Sequence, residues 1–399
     1  MTEATSTERL REALANRTGT SPRDWYPVFK ARYGMLETFS ALRKAHGSGV
    51  VRTQLFTCCT AVDPIIVAGL KPRYEEIDPR TLSIDASTLR ESRGDAPTRA
   101  VMLQHTFGII DNAADLHLAE ATRKLPGALL VEDCAHCVAR MSRADDGSPR
   151  ADVSVHSFGV EKILSTRFGG AIWVNPRLAE TDPAVDTELR GRLEALPRPD
   201  RRLDAITRAY INENRVFSRL GSLGGNMRRG FTGIGLYEPP IADVERAGGL
   251  AYASMKPTEW IERKAAEAIS ALSSNENGRR HVVAIYRERL GDVADRLGIP
   301  AGAMTGRPQP LLRFPLFMDN TERAEQVLGA VREAGGYAER WYRPELFPGV
   351  TDPARYGVDG DVHARLETTG RLVAGAVCLP TELSERTAHA VADAVLRSL

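Results

Sequence analysis

The sequence predicts an α/β fold, with a larger N-terminal part built on a mostly parallel sheet and a smaller α+β domain after it. Two observations carry that expectation. From about residue 50 to 176, short apolar runs alternate with amphipathic stretches, the pattern of strands joined by crossover helices. Beyond 256 the pattern becomes a long helical stretch and then a brief strand–helix–strand series. Taken in order, VVRTQLFT (50–57) and AVMLQHTF (100–107) read as strands and ADLHLAEATRK (114–124) as a helix. ALLVED (128–133), DVSVHSF (152–158) and GGAIWVN (169–175) read as three further strands. Parallel strand ends of this kind face a common crevice, which is where chemistry is expected. Residues 177–250 lose the strand pattern and become rich in arginine, with Arg190, Arg192, Arg198, Arg201, Arg202, Arg208, Arg215, Arg219, Arg228 and Arg229 around GSLGGN (221–226), read as flexible. That insertion is either a solvated helical excursion or a cationic wall for a phosphorylated substrate or partner. Helix resumes through WIERKAAEAISAL and GRRHVVAIYRERL. QPLLRFPLFM (309–318), a helix near 321–335 and AVCLP (376–380) then make the smaller domain. The expected division is 1–250 for an N-terminal segment and the large domain, and 251–399 for a connecting helix and the small domain.

Composition narrows the partners. The 399 residues carry a net charge of +1, which gives no general pull toward nucleic acid or an acidic membrane. MTEATSTERLREALANRTG is polar, and no stretch approaches the roughly 20 apolar residues of a membrane span, so a soluble, cytoplasmic protein is expected. Five cysteines form no disulfide framework: Cys58 and Cys59 are adjacent, Cys134 and Cys137 make a lone C-x-x-C, and Cys378 stands apart. One C-x-x-C without a second pair is a poor zinc signal, so no metal site is expected, and the thiols are read as reduced, buried or site-lining. Only seven lysines stand against 46 arginines. Arginine stays protonated and cannot form a Schiff base, so the list of candidate amine nucleophiles is short.

Two motifs carry chemistry. Val131-Glu132-Asp133-Cys134-Ala135-His136 ends an apolar strand. A carboxylate at that end can hold a protonated pyridine nitrogen and keep the ring an electron sink; it can equally cap the next helix. Ser157-Phe158-Gly159-Val160-Glu161-Lys162 is followed by Gly169-Gly170. A loop lysine is ordinarily a solvated surface residue. This one is marked out by its place after a strand end and before paired glycines that permit tight backbone passage.

Together these residues resemble the DegT/DnrJ/EryC1/StrS family of pyridoxal phosphate-dependent sugar aminotransferases, and the resemblance is spread along the chain. FTCCTAVDPIIVAGLKPRYEEIDPRTLSID (56–85) is similar to its "G-x-x-P-x-x-x-D-I/V-D" stretch, and QHTFGIIDNAADL (104–116) to "H-x-Y/F-G-x-x-x-D". VEDCAH resembles "E-D-A-A-Q", HSFGVEKILSTRFGG resembles "F-S-F-x-x-x-K-x-L-x-x-x-x-G-G", and WYRPEL (341–346) with LPT (379–381) fits the C-terminal domain. The resemblance implies the type I aminotransferase fold and pyridoxal 5′-phosphate as cofactor. It implies that Lys162 forms the internal aldimine and then moves the proton between the amino-acid α-carbon and the C4′ carbon. Asp133 would pair with the pyridinium nitrogen and Ser157 would hydrogen-bond the phosphate.

Other positions depart from the family pattern. The Gly-Thr or Gly-Ser pair that opens the first core helix is replaced by Ala31-Arg32-Tyr33-Gly34, where Arg32 and Tyr33 become the cofactor-binding candidates and Arg32 could replace hydroxyl contacts by charge. His136 stands for the glutamine and could approach the phenolic oxygen; Cys58 stands where an aromatic commonly stacks on the ring. The partner-chain "N-Y-R" aligns with Ser254-Met255-Lys256, or with GGNMRR (224–229). The implied activity is amino transfer from glutamate or glutamine to a nucleotide-linked keto-sugar, by a homodimer. Amination of a cyclitol or other natural-product precursor, and a catalytically silent binding protein on the same fold, are the alternatives.

Overall fold

The computed structural model describes residues 4–90, 94–164 and 166–399. Its main sheet holds β1 (Trp25–Val28), β2 (Val50–Thr53), β3 (Lys71–Tyr74), β4 (Thr98–Gln104), β5 (Leu129–Asp133), β6 (Val153–Ser157) and β7 (Gly170–Val174). They lie in the order β1-β7-β6-β5-β4-β2-β3. Every neighbouring pair from β3 across to β6 is parallel, whereas β7 runs antiparallel to β6 and β1 antiparallel to β7. The fold class and the five strands expected between 50 and 176 are present, each a little shorter than its apolar run. β5, β6 and β7 are buried along their whole length, as strands covered on both faces must be.

β1 and β3 are additions to the expected set. Each has four residues, and each contains a proline, Pro27 and Pro72. Proline lacks the amide proton a central strand needs, so both strands occupy sheet edges, and their pairing is decided by the neighbour rather than by a local pattern.

Helix α1 (Ser6–Thr18) opens with a capping box between Thr5 and Glu8 and packs along the helix Glu259–Ser270. Helix α2 (Ala31–His46) lies against the sheet, with Gly34 so close to Ile172 that a Cβ would stand 2.2 Å from its Cγ1. In the C-terminal part, β8 (Arg313–Phe317) and β9 (Ala376–Pro380) pair antiparallel. The helices Leu272–Leu290, Thr321–Glu333 and Glu385–Arg397 surround them. One buried cluster runs from Leu10, Leu14 and Trp25 through Phe56 and Phe107 to Phe314 and Leu379, so the two ends of the chain share a core. Among the described residues no helix is long and apolar enough to cross a membrane.

The arginine-rich insertion is helical, including the stretch read as flexible: GSLGGN begins the helix Gly221–Gly233. Each glycine costs a helix about 1 kcal/mol relative to alanine. Packing overrides that cost here, because Gly224 lets the helix close on the Phe217 backbone and Met227 and Phe231 join the buried Phe217–Tyr237 cluster. The arginines are largely engaged within the chain: Arg190 with Asp24 and Asp186, Arg192 with Glu37 and Glu188, Arg198 with Glu262, Arg208 with Asp204.

The paired glycines have a steric origin. Gly169 has φ +104°, and a Cβ on Gly170 would lie 2.7 Å from the His156 carbonyl and 2.9 Å from the Ala31 amide. Both contacts are backbone and cannot swing away. Gly170→Ala is therefore expected to lower the unfolding free energy in urea by about 2 kcal/mol. Gly225→Ala, where a Cβ meets nothing within 4 Å, should hold or raise it.

Candidate active site

Outside the C-terminal ends of β4, β5 and β6 lies a cavity of about 220 Å³. Parallel pairing puts Gln104 opposite Asp133, and β6 brings Ser157 to the same edge. All three line the cavity, with Lys162, Cys58, His136, Arg32 and the first turn of α2. Trp341, Tyr342 and Phe347 close it from the C-terminal part, and Pro240 and Ile241 from the insertion.

Asp133 is 8% exposed and held from two sides: its Oδ1 accepts the Ala135 amide at 2.9 Å and its Oδ2 the Gln104 side-chain amide at 3.3 Å. Gln104 also donates to Thr57 Oγ1 at 2.7 Å. One residue earlier, the Glu132 carboxylate is wholly buried and accepts from His105 at 2.7 Å, from the Ser142 amide at 2.5 Å and from Ser154. This network accounts for the approach of His105 to Glu132, and the ligand atoms of His105, Glu132 and Cys134 lie within 4.8 Å of one another. It also braces the loop that follows Asp133.

Lys162 sits in the β6–β7 loop with its amide bonded to the Gly159 carbonyl at 3.3 Å and its Nζ 5.5 Å over the Trp341 ring. Burial holds its ammonium below the usual lysine range, against the opposing charges of Cys58 and Asp133. An amine so placed is nearer its nucleophilic form than a surface lysine. The α2 N-cap Lys30 makes no side-chain cap bond, and Lys30, Ala31 and Arg32 line the same cavity as Ser157. A helix start of this kind favours a phosphate. An amine, a strand-end carboxylate, an uncapped helix start and a hydroxyl on one small cavity fit pyridoxal 5′-phosphate. The Gln104 Oε1, buried and without a hydrogen-bond partner, shows that the wall has polar capacity to spare.

Six of the seven residues named from the sequence line this cavity: Lys162, Asp133, His136, Ser157, Arg32 and Cys58. Tyr33 does not. Its buried ring stacks on Phe29 at 6.4 Å within the cluster that includes Phe168 and Tyr210, because its position in the first turn of α2 points it at the insertion helices. Arg32 reaches the cavity with its charge already engaged, by Glu245 at 2.5 Å and the Pro240 carbonyl at 3.1 Å. The two "N-Y-R" candidates pack on their own chain: Met255 accepts the Phe29 amide at 2.9 Å, and GGNMRR is helical. Lys30, Gln104, Trp341 and Tyr342 were not singled out as site residues. A polar side chain at the end of an otherwise apolar strand was the available signal for Gln104; nothing local marks the others.

Cys58 is the unusual member. Its Sγ lies 3.1 Å from Thr60 Oγ1. Hydrogen bonding with Cys59 and Thr60, with the positive charges of Lys162 and Arg32, pulls its thiol down to about 6 despite burial. The thiolate is the reactive form, so alkylation by iodoacetamide should be fast above that pH and fall away below it. Mass spectrometry across a pH series should find Cys58 labelled ahead of Cys59, Cys134, Cys137 and Cys378, which are all buried.

Comparison with known proteins agrees with this geometry. Residues 34–185, which contain β2 to β7 and Lys162, match the model of the DegT/DnrJ/EryC1/StrS aminotransferase family. A GDP-perosamine synthase of Vibrio cholerae is 26% identical over 151 residues, 38% of each chain. An L-glutamine:2-deoxy-scyllo-inosose aminotransferase of Streptoalloteichus tenebrarius is 27% identical over 190 residues, 44% of each chain. The chain thus spans less than half the length of these curated relatives. The structure of NtdA from Bacillus subtilis with bound cofactor PMP superposes with a TM-score of 0.68 at 14% identity, covering all of this chain and 78% of that one. The matching segment carries Lys162 and the strand ends that line the cavity, and the fold is shared along the whole length, so the chain is similar to the DegT/DnrJ/EryC1/StrS aminotransferase family in that segment.

Proposed function

We propose that this protein is a pyridoxal 5′-phosphate-dependent aminotransferase that moves an amino group from glutamate or glutamine to a keto-sugar, and that it works as a homodimer. The observation that carries this reading is the placement of the Lys162 amine and the Asp133 carboxylate on one cavity with the start of α2. When bound, the cofactor supplies an electron sink that stabilises negative charge at the amino-acid α-carbon. Asp133, held by Ala135 and Gln104, keeps the ring nitrogen protonated. Ser157 and the first amides of α2 hold the phosphate, and Lys162 carries the proton between the α-carbon and C4′.

A nucleotide-linked acceptor is supported by the similarity to GDP-perosamine synthase. A cyclitol ketone is the second reading, favoured by the similarity to the 2-deoxy-scyllo-inosose enzyme. It is favoured too by the insertion: none of the ten arginines named there lines the cavity, so the cationic wall for a diphosphate is not part of it.

The absorbance spectrum with pyridoxal 5′-phosphate, before and after glutamate, tests the reading. Wild type should form a lysine-linked band that glutamate bleaches, and Lys162→Ala should form none. Turnover should fall about 10²–10⁴-fold in that variant, the usual contribution of a positioned acid–base group. A wild-type protein with no lysine-linked band would overturn the assignment. Steady-state rates with a nucleotide-linked keto-sugar and with a cyclitol ketone then separate the two acceptors.

A further inference from the structure

A second cavity, of about 200 Å³, lies between the segment 78–87 and the helix Asn112–Arg123. It shares no lining residue with the candidate active site, and it is nearly as large as that cavity of about 220 Å³. Three carboxylates line it, from Asp78, Asp85 and Asp115, against one arginine, Arg80. His117 is also on the wall, exposed and near Glu120.

Most of this charge is already answered. The Arg80 guanidinium holds both Asp78 oxygens, with Nε 3.1 Å from Oδ1 and Nη2 2.7 Å from Oδ2, and Asp85 Oδ1 accepts the Ser87 amide at 2.9 Å. Asp115 is different. It is 3% exposed, and its Oδ2 has no hydrogen-bond partner among the described residues. Burial raises its carboxyl to about 6 against the charge of His105, so at neutral pH the wall carries a carboxylate with one oxygen unmet. Ser83, 6% exposed, adds a buried hydroxyl that is likewise without a partner among the described residues. Buried polar atoms left in this state cost free energy, and a ligand that meets them recovers it.

The rest of the wall selects the ligand. Leu103 and Leu118 are buried on the same cavity, with Ile84 beside them. A hard divalent cation takes roughly six to eight oxygen ligands and gains nothing from hydrocarbon, so this lining suits a carbon skeleton with polar substituents. The unanswered negative charge asks for an ammonium group, and the free hydroxyl for a second hydroxyl.

We propose that this cavity binds a small hydroxylated amine of amino-sugar or aminocyclitol size, its ammonium on Asp115, a hydroxyl on Ser83 and its ring carbons against Leu103 and Leu118. The assignment rests on this cavity alone and holds whatever acceptor the Lys162 site takes.

Isothermal titration calorimetry of the purified protein at neutral pH, with glucosamine, glucose and magnesium chloride as probes, tests it. Glucosamine should bind saturably, and glucose, which lacks the ammonium, about tenfold more weakly or worse. Asp115→Asn, which keeps the shape and removes the charge, should weaken glucosamine about tenfold, and Ser83→Ala about threefold. Binding in the Lys162 cavity instead would survive both substitutions. The proposal is overturned by an absence of saturable glucosamine binding, by glucose binding as tightly, by magnesium displacing glucosamine, or by an affinity unchanged in either variant. Should Asp115→Asn fail to fold, Ser83→Ala decides alone: a loss of about threefold supports the site, and an unchanged affinity overturns it.

Discussion

The parallel pairing of β4, β5 and β6 is the constraint on which the rest of the molecule depends. It sets Gln104 against Asp133 and places Ser157 on the next strand, so three polar ends meet at one edge of a sheet that is otherwise apolar. A slip of one residue would turn Asp133 to the other face and bury an unpaired carboxylate. The register is held below by the wholly buried Glu132, which ties β5 to His105, to Ser154 on β6 and to the Ser142 amide. Removing any partner of such a network leaves a charge without compensation, so the polar core serves register at least as much as stability.

A second set of buried charges closes the cavity. Lys30 pairs with Glu238, Arg32 with Glu245, and Asp63 with the Tyr356 hydroxyl, each contact joining the large sheet's margin to distant chain. The strap Glu238–Glu245 is thereby fastened over the start of α2, with Pro240 and Ile241 facing the cavity. Arg32 is consequently a structural cation first.

The legible part of the site lay in residues whose chemistry and chain context coincide. Asp133 and Ser157 end apolar strands, Lys162 precedes a glycine pair, and Gly170 is required by two backbone contacts that no side chain could share. Tyr33 shows the limit of such reading: adjacent to Arg32, it sits on the far side of the same helical turn, because successive helical residues point about 100° apart. GSLGGN shows another, since glycine-rich composition signalled flexibility while packing against Phe217 made it helix.

Local sequence determined the five inner strands of the main sheet, the candidate nucleophile and the candidate carboxylate, because periodicity, strand ends and paired glycines are features of neighbouring residues. Tertiary structure alone decided which cations remain free, since the Arg32 charge is answered by Glu245, more than two hundred residues along the chain. It also decided the tautomer of His136, set by Phe107 on one side and Tyr342 on the other. Charge state and proton position depend on through-space partners and burial, and those exist only once the chain has folded.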